Sequence, residues 1–163
     1  MIIGITGGSG SGKSSVAKLL GYEVIDADKI YHELLATNDA LRAELSGEFG
    51  TCERHEIAKM VFADAEKLER LNEITFKYTV AAIEKLIPLG GDIVIDVPLL
   101  FETGLDEKCD VTIGVIANAE VRIERIMERD GISRKQAELR IAAQKPDSFY
   151  IERADYIVST DNA

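Results

Sequence analysis

The stretch Ile2–Ser15, IIGITGGSGSGKSS, determines how the rest of the chain is organised. Its opening apolar run is typical of a strand buried on both faces. A turn rich in glycine and serine follows, and a helical pattern begins at Ser14. Gly7, four residues, and then Gly12-Lys13-Ser14 match the phosphate-binding loop pattern. The sequence therefore predicts a nucleotide-binding site.

Each residue type in this loop has a physical role. Glycines let the backbone N–H groups approach phosphate oxygens, and the N-terminus of the following helix adds partial positive charge. We expect Lys13 to reach the β- and γ-phosphates and the Ser14 hydroxyl to bind Mg²⁺. A flexible Gly/Ser linker is the alternative, but a linker is rarely preceded by a strand and followed by a helix. The predicted nucleotide-binding residues of the loop are Gly8, Gly10, Ser11, Gly12, Lys13, Ser14 and Ser15.

Length and composition limit the class of protein. A chain of 163 residues, 46% hydrophobic, is long enough for one domain with a substantial core. The net charge of −10 argues against broad nucleic-acid binding, which needs a basic face. Cys52 and Cys109 lack metal-ligand spacing and are expected to be reduced thiols. The chain opens directly into the first strand, and no apolar run approaches about 18 residues. We therefore expect a cytoplasmic protein without membrane contact, monomeric or weakly oligomeric.

Strand-like and helical patterns alternate along the chain, which predicts an α/β fold with a parallel sheet covered on both faces. A single domain is expected over residues 1–163. The predicted strands are Ile2–Ile5, Glu23–Ile25, Asp92–Val97, Val111–Ala117 and Tyr156–Val158.

Residues 29–89 interrupt this alternation with a pattern that is helical throughout. A parallel crossover needs only about a dozen residues, whereas this segment has roughly 60. Gly47 and Gly50 mark a predicted break, after which helical periodicity resumes at Ile57 and continues to Leu86. We interpret the segment as an inserted helical subdomain that builds a substrate site. A helical bulge without a function of its own is the alternative.

Acidic residues follow two of the predicted strands. Asp26 and Asp28 end the second strand, where open α/β sheets bind ligands. Asp26 suits the cap of the next helix, which leaves Asp28 as the functional acid. Asp96 ends the third strand, and an acid in that place after a phosphate loop is expected to hold Mg²⁺ directly or through water.

Arginines are concentrated late in the chain, with six of the nine between Arg122 and Arg153. Phosphoryl transfer needs cations that neutralise charge on the moving group. We therefore predict that residues 119–153 form an arginine-rich helical lid over the γ-phosphate, with Arg140 the first choice for contacting it and Arg125 the second. A solvated face is the alternative, because glutamates are interspersed among these arginines.

Several segments together resemble the dephospho-CoA kinase family. In chain order they read GITGGSGSGKSS, VIDADKI, VFADAEKLERLNEIT, IVIDVPLLFETGLD, ERDGISRKQAELRIAAQKP and ADYIV. The resemblance implies that ATP phosphorylates the ribose 3′-hydroxyl of dephospho-CoA, the last step of coenzyme A biosynthesis. It also implies a three-layer P-loop kinase fold with a five-stranded parallel sheet of order 2-3-1-4-5, a helical acceptor-binding insert and a helical lid.

The resemblance also implies roles for particular residues. The second acid of VIDAD, Asp28, corresponds to the family's proposed catalytic base, and the arginine of RIAAQ, Arg140, to a lid residue that contacts ATP. With strand order 2-3-1, the second strand lies roughly 10 Å from the phosphate loop, which leaves room for a γ-phosphate and an acceptor hydroxyl. The chain departs from the family at Thr75-Phe76-Lys77, where Thr-His-Pro is usual.

Other functions remain to be compared with this one. Another small-molecule kinase on the same scaffold would share the phosphate loop. A GTPase switch is disfavoured because the chain has no Asn-Lys-x-Asp or Thr-Lys-x-Asp motif for reading guanine. A degenerate relative would bind ATP without transferring phosphate to any acceptor.

Overall fold

The computed structural model describes residues 1–87 and 90–162. These fall into two compact units, one formed by residues 1–25 with 89–163 and the other by residues 26–88. The strands are β1 (Ile2–Gly7), β2 (Glu23–Asp26), β3 (Ile93–Asp96), β4 (Val111–Ile116) and β5 (Tyr156–Ser159). The α-helices are α1 (Lys13–Leu19), α2 (Ala27–Thr37), α3 (Asp39–Phe49), α4 (Arg54–Val61), α5 (Ala65–Leu86), α6 (Ala119–Asp130), α7 (Arg134–Ala142) and α8 (Asp147–Arg153).

The five strands form one sheet in the order β2-β3-β1-β4-β5. β1 pairs in parallel with β3 and β4, and β4 pairs in parallel with β5. The α/β class, the five strands and their order are therefore confirmed. In the register between β1 and β3, Ile5 lies opposite Asp96. The phosphate loop after β1 and the acid that ends β3 consequently share one edge of the sheet.

The apolar residues of the central strands form the core of the sheet unit. Every residue from Ile3 to Gly7 is buried, as the continuous apolar run of β1 predicts for a central strand of a parallel sheet. Helix α1 packs Ala17 into the same cluster, whose other buried members are Ile3, Ile5, Val94 and Val115.

Gly4 is required by close packing in the middle of β1. A Cβ atom there would lie 2.6 Å from Cys109 Sγ and 2.9 Å from a methyl group of Leu100. Leu100 is fully buried and belongs to the apolar segment PLLFETG after β3. This segment leads into a short 3₁₀ helix, Leu105–Lys108, which the sequence pattern did not predict.

The second unit is helical throughout its described residues, as predicted. Its long helix α5 packs against α2, α3 and α4. The apolar faces of these helices meet in one core, whose buried members are Leu41, Leu45, Ile57, Val61 and Ile74. The unit therefore has a core of its own.

Side-chain caps fix the starts of four helices, and the cap predicted at Asp26 is among them. Asp26, Asn38, Asn118 and Ser133 each cap a helix through a side-chain oxygen, and Ser133 forms a capping box with Gln136. Such side chains satisfy N–H groups of the first turn, so the signal is local and readable in the sequence.

Two expectations within the helices were wrong. Gly47 does not break a helix but lies inside α3, and Gly50 alone ends it, with a φ of 75°. The run expected from Ile57 to Leu86 is two helices, because the chain turns at residues 62–64 and Asp64 caps α5.

No helix within residues 1–87 and 90–162 combines the length and the apolar character needed to cross a bilayer.

The two glycines near the end of α3 give a matched test of this boundary. A Cβ atom at either position meets no atom within 4 Å. Gly47→Ala should raise the free energy of unfolding by about 0.5–1 kcal/mol, because alanine is favoured inside a helix. Gly50→Ala should lower it by about 1–2 kcal/mol, because alanine resists the left-handed conformation. Urea denaturation followed by circular dichroism measures both, and changes of the same sign would contradict the boundary.

Candidate active site

The phosphate loop joins β1 to α1 through two glycines in the left-handed conformation. Gly10 has a φ of 74° and Gly12 a φ of 85°. Gly12 is the N-cap of α1, and no side chain caps that helix. The first N–H groups of a helix have no partner within it, so those of α1 are left for an anion. The loop therefore has the backbone geometry that phosphate binding requires.

Lys13, Ser14 and Asp96 meet at the edge of the sheet. Lys13 Nζ forms an ion pair with Asp96, and the side chains are 12% and 3% exposed. The Ser14 hydroxyl donates to the other carboxylate oxygen of Asp96 over 3.1 Å. The structure thus brings together the predicted phosphate lysine and both predicted magnesium ligands.

The donor set at this point fits Mg²⁺. Magnesium prefers oxygen ligands and is commonly held by one or two protein groups together with nucleotide phosphates. The Ser14 hydroxyl and the Asp96 carboxylate supply two such oxygens on adjoining positions. Both residues are therefore suited to hold the ion beside the loop.

Ser11 and Ser15 differ in their surroundings. Ser15 is exposed in the first turn of α1. Ser11 is 1% exposed, and its hydroxyl has no hydrogen-bond partner among the described residues. A Cβ atom at Gly7 would lie 2.8 Å from that hydroxyl, which explains why glycine is needed there. The backbone N–H of Ser11 donates to the Gly8 carbonyl over 3.2 Å, so the expected contact of Ser11 with the nucleotide stays a prediction.

Arg125 contacts the phosphate loop from α6. Its guanidinium donates to the Gly10 carbonyl over 3.1 Å, to the Thr160 hydroxyl over 2.8 Å and to the Thr160 carbonyl over 2.6 Å. Thr160 in turn donates its hydroxyl to the carbonyl of Ser11. Arg125 thus braces the loop in this structure, and its expected contact with ATP stays a prediction.

Arg122, one turn earlier on α6, is 6% exposed. It donates to the Ser9 carbonyl over 2.9 Å and to Gln144 Oε1 over 2.8 Å. Burial lowers the pKa of this guanidinium from its ordinary value. A side chain at Gly8 would collide with it, so glycine is required at that position as well. Arg122 therefore supports the loop from beneath and is not on a solvated face.

Ser9 and Gln144 complete the contacts of the loop, and neither was predicted as a site residue. Gln144 Oε1 accepts from the Ser9 N–H over 2.9 Å, and Gln144 Nε2 donates to Ser9 Oγ over 2.8 Å. Their sequence positions carried a weak signal, since Ser9 lies inside the loop and Gln144 ends the segment RIAAQ. The contact itself spans 135 positions and could not be read from a local pattern.

Arg140 lies on α7 and forms an ion pair with Asp130 at the end of α6. Arg129 also binds Asp130, and hydrogen bonds from both arginines lower the pKa of the Asp130 carboxyl to about 2. Arg134, at the start of α7, instead pairs with Glu120 and Glu138. Arg140 therefore has a carboxylate partner in this structure, and its contact with ATP stays a prediction.

Asp28 belongs to the second unit, in the first turn of α2. Its backbone N–H donates to Asp26 Oδ1 over 2.9 Å, so Asp26 is the cap, as expected. The Asp28 side chain is exposed. Capping therefore does not account for Asp28, and its role as a base stays a prediction.

The segment Thr75-Phe76-Lys77 lies within α5. Thr75 is buried and donates to the Leu71 carbonyl over 2.9 Å. Lys77 donates to Glu44 on α3 over 2.8 Å, and the neighbouring Tyr78 binds the same carboxylate. In this chain the departure from the family pattern therefore ties α5 to α3.

The sheet order, the phosphate loop and the acid at the end of β3 together define a P-loop kinase fold. Three comparisons with known proteins narrow this class. The family model described as dephospho-CoA kinase matches residues 1–163. The dephospho-CoA kinase of Fusobacterium nucleatum is 38% identical, over 99% of this chain and 90% of that protein. The dephospho-CoA kinase of Corynebacterium glutamicum is 35% identical, over 99% and 91% respectively.

A solved structure agrees with these matches. A protein from Thermus thermophilus is 32% identical and superimposes with a TM-score of 0.81, covering 100% of this chain and 90% of that one. The chain belongs to the dephospho-CoA kinase family.

The Asp130 cluster gives a test that depends on pH. Because its pKa falls from an ordinary 3.8 to about 2 in the folded state, the ionised carboxylate stabilises the fold above about pH 4. That contribution is lost as the pH falls towards 2. Asp130→Asn should therefore cost about 1 kcal/mol near neutral pH, with allowance for solvent screening, and almost nothing near pH 2.

Chemical denaturation across this pH range measures the effect. The control is Glu124→Gln, an exposed carboxylate on the same helix, which should change stability little at any pH. A loss in Asp130→Asn that does not depend on pH would contradict the ion-pair interpretation.

Proposed function

We propose that this protein transfers the γ-phosphoryl group of ATP to the ribose 3′-hydroxyl of dephospho-CoA, the last step of coenzyme A biosynthesis. The observation that carries the proposal is the meeting of Lys13, Ser14 and Asp96 beside an uncapped helix, in a chain of the dephospho-CoA kinase family. The ribose O3′ forms a bond to the γ-phosphorus, the bond from that phosphorus to the β–γ bridging oxygen breaks, and ADP leaves.

The phosphate loop supplies most of the electrostatic stabilisation. The N–H groups of the first turn of α1, together with loop N–H groups other than those of Ser9 and Ser11, bind the phosphate oxygens, and Lys13 neutralises charge on the β- and γ-phosphates. Lys13 already pairs with one anionic group, the Asp96 carboxylate, and the phosphates of the nucleotide would be a second anionic partner. Ser14 and Asp96 would hold Mg²⁺, which when bound neutralises charge on the phosphates.

Asp28 is proposed as the general base. It takes the proton of the ribose 3′-hydroxyl as that oxygen attacks, which is the role of the equivalent acid in other kinases. Two findings support this: capping of α2 is carried out by Asp26, and the Asp28 side chain is exposed.

The remaining parts of the chain have supporting roles in this proposal. Residues 29–89 bind the acceptor, and residues 119–153 act as the lid. Arg140 leaves Asp130 to contact ATP when the lid closes, and Arg125 holds the loop beneath the nucleotide. A cytoplasmic location and a monomer or weak oligomer fit an enzyme that uses ATP and has two free thiols, Cys52 and Cys109.

Two other functions were considered for the same site. A kinase with another small alcohol as acceptor would share the loop, Lys13 and Asp96. A degenerate relative would bind ATP without transfer. The match to the dephospho-CoA kinase family over residues 1–163 favours neither of them.

Product analysis tests the proposal directly. The protein is incubated with ATP, Mg²⁺ and dephospho-CoA, and the product is examined by mass spectrometry and phosphorus NMR. We expect a new phosphomonoester on the ribose 3′-oxygen and stoichiometric ADP. Phosphorylation of a different alcohol in an acceptor panel would overturn the acceptor assignment, and transfer to no acceptor would overturn the proposed activity.

Asp28→Asn tests the base. Asparagine keeps the shape of the side chain but cannot accept the proton, so turnover should fall at least about 100-fold while both substrates bind nearly normally. Glu33→Gln removes the same charge from an exposed position on the same helix and should leave turnover within about twofold. Steady-state kinetics with both substrates separates the two. Equal turnover in Asp28→Asn and the Glu33→Gln control would mean that Asp28 is an exposed residue without a role as the base.

A further inference from the structure

We propose that the Ser9 hydroxyl donates a hydrogen bond to the phosphate chain of ATP, and that Gln144 is the positioning residue that aims it. The inference rests on the proposed function, since it requires ATP in the loop. It concerns two residues that the loop pattern does not single out, because Ser9 occupies a variable position of that pattern and Gln144 is 135 positions away.

The orientation of the Gln144 carboxamide follows from its neighbours. The Ser9 backbone N–H and the Arg122 guanidinium both point at one atom of the carboxamide. Each of these groups can only donate, so the atom they share must be the oxygen Oε1. The amide nitrogen Nε2 then faces Ser9 Oγ, 2.8 Å away. The hydrogen-bond partners therefore determine the orientation of the Gln144 carboxamide, and its N–H₂ group donates to Ser9.

The Ser9 hydroxyl is left with one proton to donate. Because Ser9 Oγ accepts from Gln144, its own proton must point elsewhere. Among the described residues, Ser9 Oγ donates to no protein atom, and the residue is only partly buried. A hydroxyl in a phosphate loop that can still donate its proton matches the need of a phosphate oxygen.

The N–H, the carbonyl and the hydroxyl oxygen of Ser9 each have a hydrogen-bond partner in the protein. Its N–H is bound by Gln144, its carbonyl by Arg122 and its hydroxyl oxygen by Gln144. Arg122 is itself buried, and the close approach of its guanidinium is possible because residue 8 is glycine. The donor is therefore in place before the nucleotide binds, and a preorganised donor costs no reorganisation when the phosphate arrives.

Gln144→Glu distinguishes the role of Gln144 in orienting the Ser9 hydroxyl from its role in supporting the loop. The introduced carboxylate still accepts from the Ser9 N–H and from Arg122, so the loop keeps both of these bonds. It cannot donate to Ser9 Oγ, so the serine proton turns towards the carboxylate and away from the nucleotide. We expect the dissociation constant for ATP to rise about 10-fold, as loss of a hydrogen bond to a charged group predicts. Ser9→Ala, which removes the donor, should give a similar rise.

A double-mutant cycle distinguishes this effect from repulsion by the new charge. If Gln144→Glu acts through the serine proton, it should weaken ATP binding much less in a Ser9→Ala background than in the native one. An equal loss in both backgrounds would mean that the added charge repels ATP, and would overturn the positioning role. The KM for ATP should rise in both single variants while the KM for dephospho-CoA stays unchanged.

Calorimetric titration with ATP in the absence of dephospho-CoA is the measurement, with thermal unfolding of each variant as a check on the fold. If native protein does not bind ATP, the proposed function fails. If native protein binds ATP and Ser9→Ala binds it equally well, the proposed function stands and this inference is overturned. Ser9→Ala deletes one oxygen from a partly exposed loop, so it decides the outcome even if Gln144→Glu does not fold.

Discussion

The buried ion pair between Lys13 and Asp96 joins the start of α1 to the end of β3, the two elements on which the site depends. Placing two charges where they are 12% and 3% exposed is costly unless each has several partners, and breaking such a pair leaves an uncompensated charge. Ser14 supplies one of the additional bonds to Asp96. The register of β1 on β3 brings these groups together, so the sheet cannot slip by a residue without separating them. The same polar cluster thus sets the alignment of the sheet and the chemistry at its edge.

The arginines of α6 show how an acidic protein concentrates positive charge beneath a phosphate site. Arg122 and Arg125 donate to the carbonyls of Ser9 and Gly10 and therefore hold the loop through its acceptors. Neither arginine occupies an N–H group of the loop, although the Ser9 N–H donates to Gln144 and the Ser11 N–H donates to the Gly8 carbonyl. Cations that bind the acceptors of a loop stabilise an anion in two ways, through the field they create and through the backbone orientation they impose.

The fold and the phosphate site could be predicted largely from local patterns. Apolar runs gave the strands, and capping side chains such as Asn38 gave helix starts. Gly47 misled because a glycine inside a helix costs only about 1 kcal/mol, which packing of the neighbouring Leu45 into the core outweighs. The contacts of Arg122 and Gln144 with Ser9 could not be predicted, since each joins residues more than 100 positions apart. The periodicity of apolar residues in a sequence predicts which face of a helix or strand a side chain lies on, but not which residues it contacts there.

Thr160 has a consequence for how the protein is made. Its hydroxyl binds the carbonyl of Ser11 across 149 positions, and Arg125 binds Thr160 in turn. The first strand also lies between two strands that begin at residues 93 and 111. During synthesis from the N-terminus, the loop segment therefore leaves the ribosome long before the residues that brace it. Nascent chains must keep this apolar strand unpaired until the strands that begin at residues 93 and 111 have been made, which leaves the opening segment open to aggregation during synthesis.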